Sequence, residues 1–340
     1  MQSRASDVDA VQPGGDRSMV PARTLKFVPL LLASVLALSA CAQTPSGPTP
    51  EELAARAQAE AKAFAREQYL WRAKRIIDLN RPDGWTSLVG LHWLDPGTHR
   101  VGSDADNGIR LAMGPEHLGV FSVRDKRVSF TPDVEVNIDG KPQRGAATLR
   151  LDKDPAGPSM IDFDDGKGLA SVIERGGRLA LRVKHADAES RLKFAGLQYW
   201  LGGRDWQVPA NFIAHPAGKT LPIANIIGTT DNIPNPGAVE FARGGKTYRL
   251  EALDQGEGTL FLVFADRTSG HGSYGAGRFL DAPMPDKQGR LVLDFNQAYN
   301  PPCAFTPFAT CPLPPPENRL DLAVEAGEKA YVKPYVKPTH

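Results

Sequence analysis

Cysteine is scarce in this chain: three occur in 340 residues, at positions 41, 303 and 311. A disulfide-dense scaffold is therefore excluded, and the length is ample for an ordinary hydrophobic core. Charge of one sign is lacking as well. The formal net charge is +1 at pH 7, and residues 1–40 hold four of the 40 basic and three of the 39 acidic residues, leaving 36 of each beyond them. A neutral chain has no general reason to bind nucleic acid or an anionic lipid surface. No internal repeat is visible, and no long helical period follows residue 82. Gly275-Ala276-Gly277 lacks the lysine and following helix of a phosphate loop. No cofactor motif is legible. What is abundant is glycine, 33 residues, and proline, 29. Both favour turns and short strands over long helices.

The one long apolar run, Val28 to Ala40, follows Arg23 and Lys26. It is too short to span a bilayer as a helix and has the proportions of a signal-peptide core. It ends in Leu38-Ser39-Ala40-Cys41, which resembles a bacterial lipobox. There the cysteine thiol receives a diacylglyceryl group, cleavage just before it requires a small residue such as Ala40, and acylation of the new amino terminus adds a further chain such as palmitate. The expectation is an exported protein anchored to the cell envelope through Cys41. Ala42 rather than Asp at the next position leans towards the outer membrane, facing the periplasm. Residues 1–18 carry Asp7, Asp9 and Asp16 and make a poor signal start, so Met19 is the expected initiator.

Past the signal, Thr44 to Pro50 reads as a stiff polar tether. A helix is expected over 51–82, with Thr49 as cap, Glu51 and Glu52 in the first turn, and Asn80, Pro82 and Gly84 as the stop. Its apolar stripe, Leu53, Ala57, Phe64, Tyr69, Trp71 and Ile76, is only partial. From there on the chain reads as mainly β, in an antiparallel half over 83–175 and a second antiparallel sheet or barrel over 176–331. A flexible tail is expected over 332–340. Gly244-Gly245 separates Ala238–Arg243 from Lys246–Leu253 as a hairpin turn. Leu260 to Phe264 is apolar on both faces and belongs in a central strand. Leu291 to Phe295 is a similar strand that carries Asp294 inside it.

Gly97 to Leu111 and Val136 to Gly140 resemble segments of forkhead-associated β-sandwiches. Ser103 follows Gly102 where those domains place arginine, and no Ser-x-x-His follows. The likeness is to the scaffold, and phosphopeptide binding is not implied. Asp294 to Leu320 (Asp-Phe-Asn-Gln-Ala-Tyr-Asn-Pro-Pro-Cys-Ala-Phe-Thr-Pro-Phe-Ala-Thr-Cys-Pro-Leu-Pro-Pro-Pro-Glu-Asn-Arg-Leu) is the most distinctive stretch. With Trp85 to Leu94 and Tyr274 to Leu280, it resembles the bacterial domain of unknown function family 1684 over roughly residues 68–331. That resemblance implies a soluble domain, carried by some members behind a lipoprotein signal, and implies no activity.

Cys303 and Cys311, an even pair eight positions apart, suggest a local disulfide in an oxidising compartment, with buried free thiols as the alternative. No histidine lies near them in sequence, so a zinc site is not expected. The turn Asp266 to Tyr274 gathers acid, hydroxyls and His271, but Ser269 lacks the Gly-x-Ser-x-Gly elbow, and a polar hairpin loop is the simpler reading. His92, in an apolar run, reads as a hydrogen-bonded core histidine. The better candidate for chemistry is a pocket lined by Tyr274, Arg278, Asp294, Asn296, Tyr299 and Asn300. Arg278 and Asp294 have apolar strand neighbours, and a charge inside a sheet must be paired or bound. An Arg278–Asp294 ion pair and an anion held by Arg278 both satisfy that requirement. The sequence thus points to a membrane-anchored protein that binds a small molecule or an envelope partner. A hydrolase using Cys303 or Ser269 and a purely structural role stand as alternatives.

Overall fold

The computed structural model describes residues 47–333, so Cys41, the expected export signal and the end of the expected tail lie outside the described residues. Helix α1 (Pro50–Leu79) comes first. The Thr49 hydroxyl accepts from the Glu52 amide at 3.2 Å, and the Glu52 carboxylate accepts from the Thr49 amide at 2.7 Å. This reciprocal box satisfies two orphan donors of the first turn. The expected apolar stripe is not what docks α1. Leu53, Tyr69 and Ile76 are exposed, while the buried side chain in the middle of the helix is Gln68.

The next eleven strands build a two-sheet sandwich: β1 (Leu88–Leu94), β2 (Gly97–Gly102), β3 (Ile109–Arg110), β4 (Gly119–Arg124), β5 (Arg127–Pro132), β6 (Val136–Ile138), β7 (Lys141–Gln143), β8 (Ala147–Leu149), β9 (Ile161–Phe163), β10 (Gly168–Arg175) and β11 (Arg178–His185). One sheet runs β1-β11-β10-β9-β6-β7 and the other β3-β2-β4-β5-β8. Alternating residues from both, among them Val101, Phe121, Phe130, Ile161, Val172 and Leu181, meet in a single core. This is the period-2 pattern of strands with one buried face. The sandwich runs past residue 175. Gly176 and Gly177, both at positive φ, are the turn of the β10–β11 hairpin rather than a boundary between halves. The β2–β3 pair is parallel, a local departure from the antiparallel rule.

After a short helix, α2 (Glu189–Leu192), comes the second body: β12 (Gln207–Ala214), β13 (Thr220–Ala224), β14 (Thr230–Pro234), β15 (Gly237–Arg243), β16 (Lys246–Asp254), β17 (Thr259–Phe264), β18 (Arg278–Pro283) and β19 (Arg290–Asp294). Six of these form a sheet ordered β18-β17-β16-β15-β12-β19, and its two edges approach each other, so it is nearly closed into a barrel. β13 and β14 pair as a separate ribbon. Gly244 and Gly245, at φ 57° and 75°, turn β15 into β16 as the sequence indicates; two consecutive left-handed residues suit the twist of the strands they join. β17 is buried on both faces because Leu260, Leu262 and Phe264 point into the barrel while Phe261 and Val263 pack on a second cluster outside.

The barrel holds no lumen. Phe241, Phe264, Phe295 and Trp206 fill it, and Leu320, Val324 and Ala326 from the segment beyond the proline loop join the same core. Asn318 stitches that segment to the sheet by donating to the carbonyls of Glu251 and Val263 at 2.9 Å and accepting from the Glu251 amide at 2.7 Å. Gly327 is at φ 77°, and a Cβ there would sit 2.4 Å from the Ala298 carbonyl oxygen, so no larger residue fits this crossing. Among the described residues, no helix is long and apolar enough to cross a membrane.

Candidate functional site

The last turns of α1 meet the barrel through Gln68, Arg72 and Arg75, spaced i, i+4, i+7 on one face of the helix. Gln68 donates to Asp294 at 2.7 Å, and Arg72 lies 4.3 Å over the Tyr199 ring. Arg75 reaches deepest. Its Nε is 2.9 Å from Glu328, Nη2 donates to the Asn300 carbonyl at 2.8 Å, and the guanidinium lies 4.6 Å from the centre of the Tyr299 ring. Glu328 has no exposed side-chain surface, and its second oxygen accepts from the Asn300 amide at 2.8 Å. A buried carboxylate with a guanidinium and an amide on it is fully paired.

Between this helix and the barrel wall lies a cleft of about 520 Å³. Trp71, Lys74, Arg75 and Asp78 form one side, Trp85 an end, and Glu257, Phe261, Phe279, Asp281 and Tyr299 the other side. Strand β18 delivers Asp281 with its side chain outward, alternating with the inward Leu280 and Ala282. The Tyr299 hydroxyl donates to Asp281 at 3.0 Å. Asp281 is open to the cleft water, yet the surrounding walls desolvate it enough to push its carboxyl up. The bond from Tyr299 pulls the other way, the charge of Glu257 adds to the rise, and Arg75 opposes it. Burial, and then the charge of Asp281 and the bond to it, push the Tyr299 phenol well above its usual range. The phenol is therefore a fixed proton donor at every physiological pH.

Of the six residues expected to share a pocket, Tyr299 lines this cleft and the others lie elsewhere. Arg278 is completely buried, and its partner is Asp266 at 3.3 Å, not Asp294. It also donates to the carbonyls of Val324, Ala326 and Glu328 and to the Thr268 hydroxyl. The turn after β17 brings Asp266 under Arg278, while Asp294, although the β18 and β19 edges approach each other, is taken up by other partners. Burial pushes the guanidinium down, and Asp266 holds it charged. Asp294 instead accepts from Gln68, Gln207 and Asn296. Asn296 is buried and closed on the Gly203 backbone. Asn300 is buried too, with its side-chain oxygen unpartnered. Tyr274 packs beside Phe305 and Leu79.

The hydrolase candidates fare no better. Cys303 and Cys311 form a disulfide, with Cα atoms 6.2 Å apart, so Cys303 offers no free thiolate. The Ser269 hydroxyl is engaged with Asp266, and His271 is exposed, with Nδ1 facing the Ser269 carbonyl at 3.3 Å. His92 is partly buried with Nε2 unpartnered, against the expectation of a bonded core histidine, and burial pushes its imidazole towards the neutral form. One group with metal-ligand spacing occurs among the described residues, Asp104, Asp106 and His117, and all three are exposed.

Residues 192–329 match the family model described as a protein of unknown function, DUF1684. This part of the chain belongs to that family. The DUF1684 region starts at the end of α2 and takes in the barrel and the proline loop, a narrower stretch than the 68–331 over which the sequence shows the resemblance. It contributes Glu257, Phe261, Phe279, Asp281 and Tyr299 to the cleft, whereas Trp71, Arg75 and Trp85 precede it. An uncharacterized protein of Haloarcula marismortui, solved by solution NMR, is 33% identical over 41% of this chain and 78% of that one, with a TM-score of 0.35. No curated protein matches the chain.

The sequence reading missed Arg75, Asp281 and Glu328. For Arg75 the signal was present: Gln68, Arg72 and Arg75 recur on one helical face at the spacing normally held by apolar residues. For Asp281 it was a lone carboxylate in Phe279-Leu280-Asp281-Ala282.

Proposed function

We propose that this protein is an exported lipoprotein, tethered through Cys41, that binds a small ligand in the cleft beneath α1. The observation that carries the binding reading is the Tyr299–Asp281 pair, a proton donor and a carboxylate 3.0 Å apart and open to a cleft of about 520 Å³ with aromatic walls. Concave, mostly apolar sites with a few convergent polar groups are where small molecules bind. The barrel interior is packed with side chains, so the ligand is held on the barrel's outer wall rather than in a lumen. Among the described residues, Cys303 is held in a disulfide and the Ser269 hydroxyl is engaged by Asp266 rather than by a histidine, so the binding reading stands ahead of the hydrolase alternative.

Native mass spectrometry of protein extracted from membranes in a non-ionic detergent tests the proposal. The expected spectrum shows a small-molecule adduct that Asp281→Asn with Tyr299→Phe removes. A single ligand-free mass, together with no thermal shift against a metabolite panel, overturns it. A macromolecular adduct unaffected by the double variant would instead favour an envelope partner.

A further inference from the structure

Two carboxylates in the cleft have no cation of their own. Of the two basic residues in its wall, Lys74 pairs with Asp78 one turn along α1, and Arg75 is committed to the buried Glu328. Asp281 and Glu257 have no Lys or Arg within ion-pair distance among the described residues. The charges that act most on Asp281 are Glu257, of like sign, and Arg75, already compensated. Asp281, partly desolvated by the walls, also feels the like charge of Glu257 from the exposed turn beside it, and a positive charge entering between them relieves both effects.

The walls decide which kind of positive charge. Trp71, Phe261, Phe279 and Tyr299 present aromatic surface next to the two acids. Hard metal ions require converging oxygen ligands, and Asp281 and Glu257 do not belong to a group with metal-ligand spacing. Aromatic rings beside carboxylates suit a large, weakly hydrated cation, whose charge is attracted by the rings as well as by the acids. This molecule already uses the same contact internally: Arg75 lies over Tyr299, and Arg182 and Lys184 lie 5.4 Å from the Trp85 ring centre.

We infer that the cleft beneath α1 takes an organic cation of the alkylammonium class, its charged head between Asp281 and Glu257 and its substituents against Trp71 and Phe261. The inference rests on the reading of this cleft as a ligand site and specifies what enters it. An anionic ligand would meet the two carboxylates head-on, and a neutral sugar would leave their repulsion in place.

Titration calorimetry of the full chain in non-ionic detergent, with benzyltrimethylammonium, N-acetylglucosamine and benzoate as probes, separates the cases. Benzyltrimethylammonium is expected to bind saturably, to bind less tightly as sodium chloride is raised, and to lose about tenfold in affinity with Asp281→Asn, since one pairwise charge contact at intermediate dielectric is worth that much. Glu257→Gln sits in an exposed turn, leaves the fold intact and is expected to weaken the probe in the same way. Binding of N-acetylglucosamine or benzoate in its place, displaced by Trp71→Ala, overturns the cation assignment and leaves the ligand site standing. If none of the three probes binds and the extracted protein carries no adduct, both readings fall.

Discussion

A guanidinium with none of its surface open to water depends on the protein for every hydrogen bond, and Arg278 is such a group. Removing it strands Asp266, which is also buried, so Arg278→Ala is expected to lower stability by about 3–5 kcal/mol in a urea titration. Because Arg278 lies outside the cleft, a variant that still folds should bind the cleft ligand as before. Loss of binding without loss of stability would contradict this. The need for a partner could be read from the sequence, since a lone arginine among Gly277, Phe279 and Leu280 cannot stay unpaired. Its identity could not. Asp266 and Asp294 both sit next to apolar strands, and what tells them apart is long-range: Gln68 and Gln207 take up Asp294, while the turn after β17 sets Asp266 against Arg278. Cys41 makes a second prediction at this scale. Cys41→Ala should leave the signal uncleaved before residue 41 and release the protein from the membrane fraction; a processed, membrane-bound variant would sink the lipoprotein proposal.

Helix α1 shows why elements are harder to read than residues. Apolar periodicity assigns the inward face of a helix when docking is hydrophobic. Here docking is polar: Gln68 bonds Asp294, Arg75 bonds Glu328, and Arg72 stacks on Tyr199, while Tyr69, Leu70, Ile76 and Ile77 face outward. The cap at Thr49 was readable because capping is local chemistry; the docked face was not, because its partners lie far off in the chain, 226 residues away for Gln68 and 253 for Arg75. Arg75→Met should strip Glu328 of its cation, lower stability by about 3–5 kcal/mol, and raise amide exchange in the last turns of α1 selectively. Uniform exchange along the helix would argue against this contact as the pin. In the proline loop, reduction of the Cys303–Cys311 bridge should cost about 2–3 kcal/mol in the chain-entropy model. Intact mass after alkylation, with and without reductant, reports whether the thiols are joined; two freely alkylated thiols in envelope-derived protein would refute the bridge. Several strands, by contrast, were legible: the doubly apolar Leu260–Phe264 is the direct imprint of two buried faces, whereas the alternation in Lys246–Leu253 gives the barrel-facing Leu250 and Ala252 but not the burial of Glu251 and Leu253 on the other face.

For the whole molecule, the raised carboxyl of Asp281 gives stability and binding opposite slopes with pH. In the folded protein Asp281 holds its proton to a higher pH than in the unfolded chain. Its contribution to stability is therefore full below the ordinary aspartate range and is lost as pH rises through the raised value. A cation needs the ionised form, so affinity for benzyltrimethylammonium should climb over that same interval. Asp281→Asn should flatten both trends; a stability profile that rises with pH through the interval and does not respond to the substitution would exclude Asp281 as its source. The threading of the chain bears on how such a molecule could be built across a barrier. Arg278 takes its carbonyl partners from Val324, Ala326 and Glu328, which lie 46, 48 and 50 residues further on, and Arg75 waits 253 residues for Glu328. A chain that emerges amino end first from a narrow channel must therefore keep its seam unfastened until that late stretch arrives. Under the proposed export, the sandwich can form on the far side while the barrel is still passing through, but the fastener comes behind both, so completion would be timed to delivery rather than to synthesis.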